Sequence, residues 1–266
     1  MRRGSVVPGF LDPGHWSACF GMSWVEMVLW DLGTHRRFMH DRATHFRKPC
    51  GTGMIPEGRN EVTRSFLDAT DSEWLWFIDT DMGFDPDTID RLVESADRHE
   101  RPVMGGLCFA HRRLPPGPLH AERYGIVPTL YRYAEVDDEI GFAPMSDYPR
   151  EQVVQVSGTG AACLLIHRRV LDAVRAKHGP IWFNPITHPT GLRGGPRTYS
   201  EDLSFCVRVA EVGFDVHVDT SVKTCHEKGG VYLTEELFDA QQAAAARVAA
   251  ETDPAGASPP ESTSAA

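Results

Sequence analysis

Apolar residues in this chain fall in short continuous runs that alternate with stretches of helical spacing, the pattern of strands and helices taking turns. Ser5 to Phe10 predicts a first buried strand. His15 to Leu32 predicts a helix with Phe20, Trp24, Met27, Val28 and Asp31 on one face and Gly33 as its stop. Arg36 to His40 predicts a short strand, the Gly/Pro-rich stretch Lys48 to Gly58 a loop, and Asn60 to Ala69 a helix burying Val62, Phe66 and Ala69. Trp74-Leu75-Trp76-Phe77-Ile78 is apolar at every position, which predicts a central strand covered on both faces. Asp85 reads as an N-cap with Pro86 in the first turn of a helix whose buried stripe is Ile89, Leu92, Val93 and Ala96. Val103 to Ala110 predicts another strand, ending in a loop from His111 to Pro116.

From Leu119 to Arg150 the pattern weakens to a hairpin around Leu130 to Tyr133 and a surface loop. Val153 to Val156 and Ala161 to Ile166 predict strands on either side of a turn, Ser157-Gly158-Thr159-Gly160. Arg168 to Lys177 predicts a helix and Asn184 to Arg197 a long loop. Leu203, Cys206, Val207 and Ala210 then give an amphipathic helix that Gly213 ends, and Phe214 to Val218 and Ser221 to His226 complete the core. There is no internal repeat. The alternation predicts an α/β fold with a mostly parallel central sheet flanked by helices, a class that binds ligands at the carboxyl ends of its strands. Residues 1–233 are expected to form one domain, 234–251 an Ala-rich helix, and 252–266 a disordered Pro/Ser/Ala/Thr-rich tail.

The 266 residues, 41% of them hydrophobic, can bury a sizeable core. Lys plus Arg number 27 against 37 Asp plus Glu, a net charge of −10, which argues against nucleic acid or an anionic membrane as a main partner. The six cysteines contain no CxxC pair and are expected to be reduced. Neither a signal peptide nor a transmembrane run is legible, and the expected location is cytoplasmic.

Four groups of residues carry candidate chemistry. Asp79 and Asp81 stand two apart at the end of the buried strand, where like charges call for a compensating cation such as Mg²⁺ or Mn²⁺; a polar strand end is the plain alternative. Glu201 and Asp202 open a helix after a glycine-bearing loop, where a carboxylate either favours the helix dipole or serves as a base. His226 ends an apolar strand, as a metal ligand or an ordinary histidine. Arg59 and Asn60 follow the Gly-rich loop and suit either a phosphate or solvent.

In this order the motifs resemble the GT-A fold glycosyltransferases of the family-2 type over roughly residues 5 to 230. Phe77-Ile78-Asp79-Thr80-Asp81 resembles the family's strand and DxD, and Ser200-Glu201-Asp202-Leu203 its ED motif. Arg59-Asn60 is similar to the pair preceding the DxD in small members, whereas Pro8-Gly9-Phe10-Leu11-Asp12 departs from the usual first strand end.

The resemblance implies a metal-dependent transferase that moves a sugar from a nucleotide-diphosphate donor to an unknown glycan, lipid or protein acceptor. Asp81 and His226 would hold Mn²⁺ or Mg²⁺, and Asp79 would contact the metal or the ribose. Arg59 and Asn60 would lie near the nucleotide, with Gly158, Thr159 and Gly160 along the donor sugar. Asp202 would be the base of an inverting reaction, and Glu201 would orient a substrate. The alternatives are a sugar-nucleotide or glycan binder without turnover, or a DxD phosphohydrolase. A phosphohydrolase would place its nucleophilic Asp near the chain start and usually carry Thr or Val where this chain has Gly83. There is no GxxxxGK[ST] for a P-loop NTPase and no N-terminal Gly-rich loop for a nucleotidyltransferase.

Overall fold

The computed structural model describes residues 4–38, 46–49, 54–114, 123–136, 139–189 and 195–252. The chain runs through β1 (Val6–Asp12), α1 (Ala18–Gly33), β2 (Phe46–Pro49), α2 (Ile55–Ala69), β3 (Trp74–Ile78), β4 (Met82–Phe84) and α3 (Thr88–Ser95). There follow β5 (Val103–Leu107), β6 (Phe109–Leu114), β7 (Arg123–Pro128), β8 (Leu130–Val136), β9 (Glu139–Pro144), β10 (Val153–Val156) and β11 (Gly158–Thr159). The last elements are β12 (Cys163–His167), α4 (Arg168–His178), β13 (Thr187–His188), β14 (Arg197–Thr198), α5 (Glu201–Glu211), β15 (Val216–Lys228), β16 (Val231–Leu233) and α6 (Glu235–Thr252).

The main sheet has the order β10-β15-β5-β12-β3-β1-β2. The strands β2, β1, β3, β5 and β15 run one way, while β12, β10 and the short β4 and β16 on the far half of β15 oppose them, so the central sheet is mostly parallel. Strand alternation divides the core. Leu75 and Phe77 of β3 join Phe66, Leu164, Ile166 and Phe205 on the α2/α4/α5 face. Trp74, Trp76 and Ile78 join Phe20, Leu92 and Leu165 on the α1/α3 face. The all-apolar run of β3 thus serves two cores at once.

Several elements differ from the sequence pattern, each for a tertiary reason. The helix predicted from Asn60 starts at Ile55, with Pro56 in its first turn, where its missing N–H costs nothing. Asp85 does not cap α3, which begins at Thr88 after Asp87. The predicted strand from Val103 is two strands, and His111–Leu114, expected as loop, continues β6 because β7 pairs with it. Arg36 to Phe38 form turns rather than a strand, and positions 39 and 40 of that prediction lie outside the described residues. The two late strands merge into β15, which pairs first with β5 and β10 and then, past an irregularity between Asp219 and Lys223, with β4 and β16. The first turns of α6 pack on the core through Phe238; the expected tail from 253 on lies outside the described residues.

Candidate functional site

Strand β3 delivers Asp79-Thr80-Asp81 to the carboxyl edge of the sheet and then turns sharply, the Met82 N–H donating to the Asp79 carbonyl at 3.1 Å. The turn is held from outside: Ser17 N–H donates to the Thr80 carbonyl at 3.0 Å and Glu227 N–H to the Asp81 carbonyl at 2.8 Å. This geometry sends the two carboxylates to different partners.

Asp79 faces Arg59, whose Nη2 lies 3.2 and 3.4 Å from the two carboxylate oxygens. Arg59 sits in the second turn of α2 with its side chain only 4% exposed. Its Nη1 donates to Glu201 Oε1 at 3.2 Å and to Asp202 Oδ1. One cation therefore serves three carboxylates drawn from two distant stretches of chain. Burial is the main push on Asp202; Arg59 opposes it, Glu201 and Asp79 add to it, and the pKa rises to about 6. Arg59 itself loses by burial but gains more from Asp202, Asp79 and Glu201, which hold it firmly protonated. Ser200 starts α5 by accepting from the Leu203 N–H at 3.4 Å, which fixes Glu201 and Asp202 in the first turn.

Asp81 belongs to the other half. The antiparallel β4–β15 ladder sets His226 opposite Met82, bringing Nε2 of the imidazole to 3.3 Å from Asp81 Oδ2. His226 Nδ1 lies 2.8 Å from the Phe109 carbonyl, which only accepts, so Nδ1 carries the proton. Nε2 is buried and, among the described residues, meets no hydrogen-bonding group besides the Asp81 carboxylate 3.3 Å away. Lys228, two residues on and on the same face of β15, places Nζ 2.6 Å from the same oxygen. Burial would raise the Asp81 pKa, but His226 and then Lys228 pull it down to about 2.

Both halves open on one cavity of about 540 Å³, whose lining includes Arg59, Asp79, Asp81, Trp16 and Lys228. Arg59, Asp79 and Asp81 line it directly, whereas Glu201 and Asp202 connect to it through Arg59 and His226 through Asp81. Gly160 is adjacent: a Cβ there would stand 3.7 Å from Asp202 Oδ2. Gly158 leaves room for the protein rather than for a ligand, since a Cβ would come within 2.8 Å of Leu203 and 3.1 Å of Phe142. Thr159 is buried between them. Asn60 turns elsewhere, accepting from the Phe183 N–H at 2.8 Å and donating to Asn184 Oδ1 at 2.6 Å, and so ties α2 to the loop after α4.

Sequence reasoning missed Lys228 and Trp16. The period of two along β15 was the signal for Lys228. For Trp16 it was the position just past the carboxyl end of β1. Its indole is 42% exposed at the cavity wall and packs edge-on against Phe10 and Phe20.

Sheet and cleft together define an α/β protein with paired acidic clusters at the carboxyl edge of a mostly parallel sheet. No protein-family model matches the sequence, and no curated protein matches it. Among solved structures, A197 from STIV matches at 15% identity and a TM-score of 0.46, over 88% of this chain and 91% of that one. GalNAc-T7 with UDP, GalNAc and Mn²⁺ matches at 10% identity and a TM-score of 0.49, over 85% of this chain. This chain spans 44% of the GalNAc-T7 chain. No helix among the described residues is long and apolar enough to cross a membrane.

Proposed function

We propose that this protein is a GT-A type glycosyltransferase that moves a sugar from a nucleotide-diphosphate donor to an acceptor hydroxyl, with Asp202 as the base. The observation that carries the reading is the divergence of two strand-end neighbours: Asp79 is tied through Arg59 to Asp202, whose pKa is raised to about 6, and Asp81 is tied to His226 and Lys228 and lowered to about 2. Groups whose pKa values are driven apart in this way are suited to separate tasks in one reaction.

A divalent cation fits the second half. Asp81 Oδ2, once the Lys228 ammonium 2.6 Å away swings off it, and Nε2 of His226 would offer one oxygen and one nitrogen from neighbouring positions. Among the described residues there is no cluster of three or more metal-binding side chains, so the remaining ligands would be diphosphate oxygens and water, as is usual for Mg²⁺. Bound there, the cation would offset the charge that develops on the leaving diphosphate.

The chain's own residues do the rest. Lys228, half-exposed at the cavity rim, presents its ammonium to the diphosphate. Trp16 offers a flat face for the base or ribose. Asp202, ionised above about pH 6, accepts the proton of the acceptor hydroxyl as that oxygen attacks the anomeric carbon, a contribution of about 10²–10⁴-fold. Arg59, itself in the cavity wall, holds Asp202 and Glu201 next to it and limits their mutual repulsion. Attack from the face opposite the leaving group inverts the anomeric centre.

The test is a panel of nucleotide-diphospho-sugars in a thermal-shift screen with and without Mn²⁺, followed by product analysis with the donor that binds. A Mn²⁺-dependent rise in melting temperature with at least one donor, and sugar transfer or slow donor hydrolysis, is expected. Absence of any donor-dependent shift in either condition overturns the assignment. Phosphate release from simple esters would point to the phosphohydrolase instead.

A further inference from the structure

A second cavity, of about 260 Å³, lies on the other side of the first turn of α5, between the β6–β7 hairpin, the start of β8 and β14. His111 and Arg112 enter it from β6, Tyr131 from β8, Arg197 from β14 and Ser200 from the cap of α5. Among the described residues its lining contains two guanidiniums and an imidazole and no carboxylate. In a chain of net charge −10 this is an unusual concentration of one sign, and the first cavity, by contrast, mixes Asp79, Asp81 and Glu227 with Arg59 and Lys228. Neither Arg112 nor Arg197 makes an ion pair with a described residue. Arg112 is held over the Tyr131 ring, its Cζ 5.5 Å from the centroid, which orders the fork at the cavity wall.

The position ties this cavity to the reaction centre. Tyr131 pairs with Gly158 in the β8–β11 ladder, and Gly160, two residues on, borders Asp202. Leu203, next to Asp202, forms part of the cavity wall. Tyr131 also lies within electrostatic reach of both sides: burial chiefly raises its pKa, Arg112 lowers it and Asp202 raises it.

We propose that this cavity is the subsite for an anionic group on the acceptor, a phosphate or a carboxylate carried by the molecule whose hydroxyl meets Asp202. The proposal rests on the transferase reading, and it narrows the acceptor from any glycan, lipid or protein to one bearing negative charge near the reacting hydroxyl. Arg recognises both anions with paired N–H donors, and His111 adds charge when protonated. Donor and acceptor would then be held by cations on opposite sides of one carboxylate.

The experiment compares glucose, glucose 6-phosphate and glucuronate as probes of direct binding to the full chain, by titration calorimetry at two salt concentrations. The same measurements are made on R112Q/R197Q and R112K/R197K, and donor thermal shifts are recorded for each protein. Expected is binding of at least one anionic sugar about tenfold or more tighter than glucose, weaker at high salt, abolished in R112Q/R197Q and partly restored in R112K/R197K. The tighter of the two names the anion. Donor shifts should be the same in all three proteins, which also reports that the variants fold. Equal binding of charged and neutral sugars, no binding of either anion, or anion binding unchanged in R112Q/R197Q each overturns the proposal. A wild-type protein that discriminates the anions through these arginines but shifts with no donor overturns the transferase reading and with it the acceptor role, leaving an anion site.

Discussion

The two aspartates of Asp79-Thr80-Asp81 are separated by one residue and live in opposite electrostatic regimes. Asp79 shares a single buried guanidinium with Glu201 and Asp202, so its neighbourhood is short of positive charge. Asp81 has Lys228 and His226 on one oxygen, so its neighbourhood is rich in it. The consequence is read at the titrating ends: Asp202 is raised to about 6 and Asp81 lowered to about 2. A short acidic motif is thus no single site. The turn at Thr80 splits it, and what packs on each side decides whether a carboxylate is poised to take a proton or held as a permanent anion.

The sharpest way to break the contrast is to remove the cation from the crowded side. Arg59→Met would leave three carboxylates around an uncompensated pocket, and stability should fall by about 3–5 kcal/mol in urea unfolding. A loss under about 1 kcal/mol would mean that solvent already screens the cluster. Next in size is Asp202→Asn, which should lower transfer about 10²–10⁴-fold while the donor-induced thermal shift stays nearly unchanged. Unaltered turnover in that variant would remove Asp202 from the chemistry.

On the cation-rich side, Asp81→Ala should weaken donor binding about tenfold or more with Mn²⁺ present and much less in its absence, measured by calorimetry. Equal losses in both conditions would trace the effect to the fold. The mildest test is pH. A base raised to about 6 is ionised above that value, so the rate should be half its plateau near pH 6 and fall about tenfold for each unit below. Stability carries the opposite signs for the two groups. The depressed Asp81 contributes stability above its ordinary value of 3.8 that is lost as pH falls toward 2. The elevated Asp202 favours the fold in its protonated form, a contribution lost as pH rises through about 6.

Much of the site was legible because it sits at the ends of strongly patterned elements. Trp74 to Ile78 is apolar at every position, so both its central place and the strand-end position of Asp79 and Asp81 followed from local pattern. The amphipathic run Leu203, Cys206, Val207 and Ala210 marked α5, and Glu201 and Asp202 at its start followed from it. Other features had local signals that pointed elsewhere. Gly and Pro around residue 56 read as loop although Pro56 opens α2, and the polar stretch His111 to Leu114 read as loop although β7 completes it as a strand.

What the amino-acid pattern determined by itself was the alternation of elements, the mostly parallel α/β class and the identity of the acids at the sheet edge. Those depend on which residues prefer to be buried and at what spacing, a property each segment carries alone. Only the tertiary structure decided that Arg59 serves three carboxylates, that Lys228 joins His226 on Asp81, that Asn60 braces a loop, and that His111, Arg112 and Arg197 gather in one cavity. Each of these depends on partners that are far apart in the chain. Charge interactions and hydrogen bonds are set by distance and burial in three dimensions, and neither quantity is written into the spacing of residues along one strand or helix.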